Sequence, residues 1–156
     1  LFCLETLLKI YPNASIIWTH RNPEEAIPSL CSLSETARRI VSDDIDRKRI
    51  GEICLDYFMN DFKMGYPARQ KASSGQIYDM SYRELVRNPI ETVRNIYNYF
   101  GINYTEPFDK KLHNFINHLH KNHAGKHVYS LESYGLDSKQ IRERLNDDYE
   151  IFGDLL

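Results

Sequence analysis

Residues 11–33 read Tyr11-Pro12-Asn13-Ala14-Ser15-Ile16-Ile17-Trp18-Thr19-His20-Arg21-Asn22-Pro23-Glu24-Glu25-Ala26-Ile27-Pro28-Ser29-Leu30-Cys31-Ser32-Leu33. Residues 15–20 carry the β-branched and aromatic content of a buried parallel strand. Asn22 is a good helix N-cap, Pro23 suits the first helical position, and Glu24 and Glu25 complement the positive end of a helix. The chain therefore passes from strand to helix within about three residues. The helix continues through Ile27, Leu30 and Leu33, with Pro28 as an internal irregularity.

Working outward, Leu1, Leu4, Leu7, Leu8 and Tyr11 recur at helical spacing, and Pro12-Asn13 ends that helix. Residues 43–49 are charged and predict a surface turn. Residues 50–62 predict a helix with Ile53, Tyr57 and the Ile50/Cys54/Phe58 row facing inward. Residues 65–75 read as a loop and 76–81 as a second strand. Asn88-Pro89 opens a helix with Val93, Ile96, Tyr97 and Phe100 on one face, closed by Gly101. Residues 108–119 predict another helix, 121–130 a polar stretch, and Asp137-Ser138 the cap of a last helix to about residue 152.

Helices between and after two strands predict an α/β class: helical layers flanking a mostly parallel sheet. Two strands do not complete such a sheet, so the fold is expected to be incomplete in this chain. The first residues also read as a helix in mid-course. Residues 1–156 are accordingly expected to be the C-terminal part of a single longer domain.

The bulk numbers exclude several classes. Twenty basic against 22 acidic residues give a formal charge of −2, which argues against general nucleic-acid binding. No apolar run approaches the ~20 residues of a membrane span. Cys3, Cys31 and Cys54 fit no metal-binding spacing and read as small hydrophobes. The sequons at Asn13 and Asn103 are matches of a common pattern, and Asn13 directly precedes the buried strand. His113, His118, His120, His123 and His127 cluster near the C-terminal end, and His113, Asn117 and His120 share one helix face. Without a carboxylate at matching spacing they predict no metal site.

In an open parallel sheet, ligands bind at the carboxyl ends of the strands. Arg21 stands there, and the helix behind it is expected to direct free N–H groups the same way. Arg21 offers a planar fork of donors for phosphate oxygens, and Ser29, eight residues on, offers a hydroxyl about two turns into the helix. Two readings stay open on the residues alone. One is an anion site; the other is a surface Arg paired with Glu25 and a Ser facing a neighbouring helix. By strand alternation His20 points away from Arg21 and is expected to be structural.

The stretch from Tyr11 to Pro23, continuing through Ser29 to Leu33, resembles the 3′-phosphate-binding segment of sulfotransferases. In that family an Arg followed by a Ser at a spacing of eight holds the 3′-phosphate of 3′-phosphoadenosine 5′-phosphosulfate (PAPS). The resemblance assigns Arg21 and Ser29 to that phosphate and implies a P-loop-type three-layer fold. Tyr82-Arg83-Glu84-Leu85-Val86-Arg87-Asn88-Pro89 resembles the family's Tyr-x-Asp/Glu-Leu segment, which implies an adenine contact for Tyr82. Alone, Tyr82 reads equally as an amphipathic residue at a strand end. Glu84 is expected to serve the local turn or cap.

Residues 127–136 resemble a C-terminal motif of bacterial-type members. The preceding Lys121-Asn122-His123-Ala124-Gly125-Lys126 resembles their basic, Gly-containing donor loop. That implies donor-phosphate contacts for Lys126 and, less directly, Lys121 and His127. A solvated basic loop is the alternative.

The family's Gly-Pro-Arg-Ser-Gly-Thr-like loop has no counterpart here. Gly65-Tyr66-Pro67-Ala68-Arg69 lacks the Ser-Gly-Thr and follows Arg21 instead of preceding it. The family's base lies upstream of this region, so no catalytic base is assigned. The resemblance implies PAPS as co-substrate, no metal, and an acceptor of unidentified structure. A degenerate, non-catalytic homologue acting as a binding module and a phosphate-binding kinase are the competing expectations. An uncovered sheet edge also implies possible self-association.

Overall fold

The computed structural model describes residues 3–121 and 129–156. Its centre is a parallel pair of strands, β1 (Ile16–His20) and β2 (Ile77–Ser81), in register from Ile16 opposite Ile77 to His20 opposite Ser81. Period-two alternation puts Ile16, Trp18, His20, Ile77, Asp79 and Ser81 on one face. That face meets α1 (Leu4–Ile10) and α3 (Arg47–Gln70), where Leu4, Trp18, Ala68 and Ile77 form one apolar cluster. On the other face Tyr78 packs edge-on against Tyr99 of α5 (Pro89–Tyr99), ring centroids 5.0 Å apart. Helices thus lie on both faces of the pair, as the alternating elements predict, but on the second face only β2 is covered and Ile17 and Thr19 of β1 stay exposed.

Between the strands run α2 (Pro23–Arg39) and α3, and after β2 come α4 (Tyr82–Arg87), α5 and α6 (Glu106–Lys121). The chain closes with α7 (Ser138–Arg144) and α8 (Asn146–Phe152). The larger core lies between α2, α3 and the C-terminal segment: Ile27, Cys31, Ile50, Cys54, Leu55, Leu131, Tyr134 and Ile141 are all buried. Fully burying an Ile or Leu such as Ile27, Leu55 or Ile141 stabilises by about 1.5–3 kcal/mol each. Gly51 permits the closest approach in this core, because a Cβ there would collide with the Tyr134 carbonyl.

Four sequence expectations are corrected. Residues 65–70 are not loop: α3 runs through Gly65 and Pro67 to Gln70. Tertiary contacts override these breakers, with Gly65 and Ala68 buried and Tyr66 stacked on Phe62 at 5.4 Å. Tyr57 does not face inward but is 57% exposed, at the rim of a cleft that Cys54 also lines. The predicted last helix is two helices, broken where Leu145 leaves helical geometry at φ −114° and ψ 24°. The surface turn is shorter than expected, since Asp46 caps α3 by accepting from the Arg49 N–H.

Candidate functional site

The strand-to-helix switch forms as its residues dictate. The Asn22 side chain accepts from the Glu24 N–H at 2.9 Å, and Pro23 takes the first helical position. The Asn22 carbonyl accepts from both Glu25 and Ala26, each at 2.9 Å. Pro23 has no N–H to offer. The first turn of α2 therefore has no free donors, which corrects the expectation of N–H groups directed at a ligand. Any anion here is held by side chains. The turn is locked from outside as well: the Tyr149 hydroxyl donates to Asn22 Oδ1 at 3.2 Å, and Arg142 Nε donates to Glu24 Oε1 at 2.7 Å.

Arg21 leaves the end of β1 with its side chain 30% exposed. Its guanidinium carbon lies 4.7 Å from the centroid of the Tyr82 ring, a cation–π contact. Among the described residues its one carboxylate partner is Glu25, at 3.5 Å from Nε, on a side chain that is 62% exposed. Arg21, Glu25, Tyr82, Arg83 and Val86 line a cleft of about 300 Å³. Asn22 and Leu156 complete its lining, and among the described side chains there two arginines stand against one acidic residue, a balance that suits an anion.

The structure brings Arg21 and Tyr82 together, as β1 and β2 end side by side. Ser29 is half-buried on α2 and is not among the residues lining this cleft. It lies one helical turn beyond Glu25, on the same face. Lys126 and His127 fall outside the described residues, and so does the side chain of Lys121. Glu84 serves locally: its N–H bonds Ser81 Oγ at 3.4 Å and its carboxylate accepts from the Asn88 amide at 3.4 Å.

Sequence reading did not find the polar groups behind the site. His20 is 4% exposed, lies between Trp18 and Phe152, and places Nε2 2.9 Å from Asp79 Oδ1. Arg69 reaches both Asp79 oxygens, with Nε at 3.2 Å from Oδ1. Burial lowers the His20 pKa, and the Asp79 hydrogen bond offsets this only in part. Burial pushes Asp79 up, but the hydrogen bonds from Arg69 and His20 outweigh it and hold the carboxyl below its usual range. A neutral His20 facing an acceptor-only carboxylate carries its proton on Nε2. The triad ties β1, β2 and α3 together, a structural role for His20. Alternation was the available signal: it puts an acid and a histidine on a buried face, where both need partners.

A second cleft of about 200 Å³ opens beside Arg21, between Thr19, Phe58, Phe62 and Asp148. Asp148 is 7% exposed and makes no side-chain hydrogen bond or ion pair among the described residues. Burial pushes its pKa up to about 6.

Along α6, His113 Nδ1 lies 2.9 Å from the Asp109 carbonyl and His118 Nδ1 2.6 Å from the Asn114 carbonyl. A carboxylate does stand at matching spacing, contrary to the sequence reading: Asp109 Oδ2 is 3.2 Å from His113. That carboxylate also takes Arg94 and the Tyr104 hydroxyl. Among the described residues no three His, Cys, Asp or Glu side chains are grouped to hold a metal, and no helix is long and apolar enough to cross a membrane.

A model of the sulfotransferase family matches residues 1–106. The chain is similar to the crystal structure of sulfotransferase STF9 from Mycobacterium avium, with TM-score 0.86 and 25% identity over 97% of this chain and 39% of that one. It is also similar to sulfotransferase STF1 from Mycobacterium tuberculosis H37Rv, with TM-score 0.73 and 29% identity over 92% of this chain and 36% of that one. A comparison with curated proteins finds no match. The chain thus spans under two-fifths of the length of either solved structure it resembles.

Proposed function

The chain belongs to the sulfotransferase family, and from that premise we propose that the full-length protein transfers a sulfuryl group from PAPS to an acceptor hydroxyl or amine, with this chain holding the donor's 3′-phosphate. Its helix-flanked parallel pair is part of the P-loop-type three-layer fold of that family. In the transfer, the acceptor oxygen or nitrogen bonds to sulfur as the bond from sulfur to the bridging phosphate oxygen breaks. The acceptor proton passes to a base, and 3′-phosphoadenosine 5′-phosphate leaves. This chain is assigned the anchoring of the nucleotide, which positions the sulfuryl group without itself stabilising the charge that develops in the transition state. No catalytic base is assigned to it.

The observation that carries the reading is the state of Arg21. It stands at the carboxyl end of a parallel strand, where ligands of such sheets bind. Among the described residues most of its donors are uncommitted, since its one carboxylate partner there is exposed and 3.5 Å away. A phosphate dianion can displace that Glu25 contact at little cost, because exposed ion pairs contribute at most about 1 kcal/mol. Ser29 adds a hydroxyl from the same face of α2, and Lys126 is the proposed loop contact. PAPS binding in this form needs no metal.

The test is nucleotide binding by the full-length protein. Arg21→Ala is expected to weaken 3′-phosphoadenosine 5′-phosphate by about ten- to a hundredfold, the equivalent of a lost charge-assisted contact. Adenosine 5′-monophosphate, which lacks the 3′-phosphate, should be nearly unaffected. Ser29→Ala should act in the same direction but less. Equal losses for both nucleotides would remove Arg21 from the 3′-phosphate.

A further inference from the structure

Asp148 is an acid without a counter-charge in a place that hides charge. It is 7% exposed, and its carboxyl makes no hydrogen bond or ion pair among the described residues. Burial alone pushes its pKa up to about 6. Among the described residues no side-chain oxygen or nitrogen is both sealed from solvent and unpartnered, so the Asp148 carboxyl stays open to the clefts it borders. There are two. One it shares with Lys63 and Arg144, neither of which reaches it, and Arg144 is held by Asp56 at 2.7 Å. The other is the cleft of about 200 Å³ beside Arg21, which Trp18, Phe58 and Phe62 also line, with Asp61 as a second acid. His20 lines it too but is committed to Asp79. Arg21, the one arginine of this lining, carries its guanidinium over the Tyr82 ring.

A carboxylate held against apolar walls without a partner costs free energy that a counter-ion restores. A hard metal ion needs more oxygen ligands than this cleft supplies, and among the described residues no three His, Cys, Asp or Glu side chains are grouped to hold one. An organic ammonium needs only a carboxylate for its charge and aromatic or apolar walls for its carbon. We propose that this cleft is a binding site for a small organic ammonium compound, with its charge on Asp148 and its carbon skeleton against Trp18, Phe58 and Phe62. The site shares only Arg21 and Leu156 with the anion cleft, and it does not depend on which nucleotide that cleft holds.

The experiment is calorimetry on the full-length protein at pH 7, with benzylammonium chloride as the probe and benzyl alcohol as its uncharged counterpart. Wild type should bind the ammonium at least about tenfold more tightly than the alcohol. Asp148→Asn should erase that preference, weakening the ammonium by about ten- to a hundredfold and leaving the alcohol unchanged. Arg21→Ala removes a cation from the lining and should bind the ammonium at least as tightly as wild type. Thermal unfolding of wild type supplies a readout that needs no variant: benzylammonium should raise Tm and benzyl alcohol at the same concentration should not. A wild type indifferent to the probe's charge would overturn the proposal, as would a preference that survives Asp148→Asn. Weaker ammonium binding by Arg21→Ala would do the same, because the cleft would then be an extension of the anion site. A wild type that refuses benzylammonium, with Asp148→Asn less stable than it, would also overturn the proposal, since a lysine or arginine of the full-length protein would already fill the cleft. Nucleotide titrations of Arg21→Ala decide the 3′-phosphate reading separately.

Discussion

The two ends of α2 treat charge in opposite ways. Near its C-terminal end, the Glu35 carboxylate is buried and fully engaged. Arg39 and Arg47 donate to Oε1 at 2.7 and 2.9 Å, and the Tyr134 hydroxyl donates to Oε2 at 3.0 Å. At its N-terminal end, Arg21 has one distant carboxylate and a ring. The Asp148 carboxyl, lining the neighbouring cleft, makes no side-chain hydrogen bond among the described residues. The first end joins α2 to α3 and to a segment 99 residues away, so all its polar groups are consumed in the joint. The second leaves cationic donors over. A polar cluster with every group satisfied is a fastening; one with donors left over is positioned to bind.

The comparison breaks first at Gly51. If the Glu35 end is a fastening, the C-terminal segment must dock tightly on α3, and Gly51 is where the backbones meet. Gly51→Ala should destabilise the full-length protein by about 3 kcal/mol, because the added Cβ meets the backbone carbonyl of Tyr134, which cannot swing aside as a side chain would. Urea unfolding reads this directly. A midpoint unchanged from wild type would mean that the segment sits loosely, and the Glu35 end would lose its standing as a joint.

Glu35 itself sharpens the comparison through pH. Hydrogen bonds from Arg47 and then Arg39 lower its pKa to about 2, against an ordinary value of 4.5. A depressed carboxyl contributes stability that is complete above its ordinary pKa and is lost as pH falls towards the folded value. Glu35→Gln should therefore cost about 2 kcal/mol at pH 7, discounted because both arginines are about half exposed, and almost nothing near pH 2. A penalty independent of pH would mean that the joint depends on shape and not on the carboxylate charge.

How much of this was legible in the sequence follows the same division. β1, the Asn22 cap and Pro23 at the head of α2 are local signals, and the structure forms them where they were read. Arg21 was legible because strand, turn and helix lie within a few residues of one another. The last two turns of α3 were not, because Gly65 and Pro67 argue locally for a break, while the burial of Gly65 and Ala68 against α1 and the strands argues against it. The saturation of the α2 N-terminus by Asn22 was half legible: the cap was read, but not that it leaves no donor for a ligand. Glu35 with Tyr134, and His20 with Asp79, join residues 99 and 59 positions apart, and no local pattern pairs them. The arrangement of Arg21 over Tyr82 needs both strand ends at once. The resemblance named the two residues but not their contact.

Asp148 gives the smallest effect, and one of opposite sign. Burial alone pushes its pKa up to about 6, against an ordinary value of 3.8. Below the ordinary value both folded and unfolded chains carry the proton, and the residue costs nothing. Between about pH 4 and 6 the unfolded chain releases a proton that the folded chain still holds, so stability falls as pH rises. Above about 6 the folded carboxyl is ionised too, and the penalty stays constant. Linkage sets its ceiling near 3 kcal/mol, and a small turn of the side chain towards the adjoining 200 Å³ cleft should reduce it to about 1 kcal/mol. Asp148→Asn removes the charge while keeping the shape. The variant should match wild type near pH 4 and become more stable than it by pH 7, the gain developing between those values. His20, Arg21 and Asp61 line the same cleft and are present in both proteins, so the difference between the two isolates residue 148. Paired urea titrations of the full-length protein across that range measure the gain. A variant less stable than wild type at pH 7 would show that Asp148 is paired in the full-length protein. The strand-end region would then be as fully fastened on its Asp148 side as α2 is at Glu35.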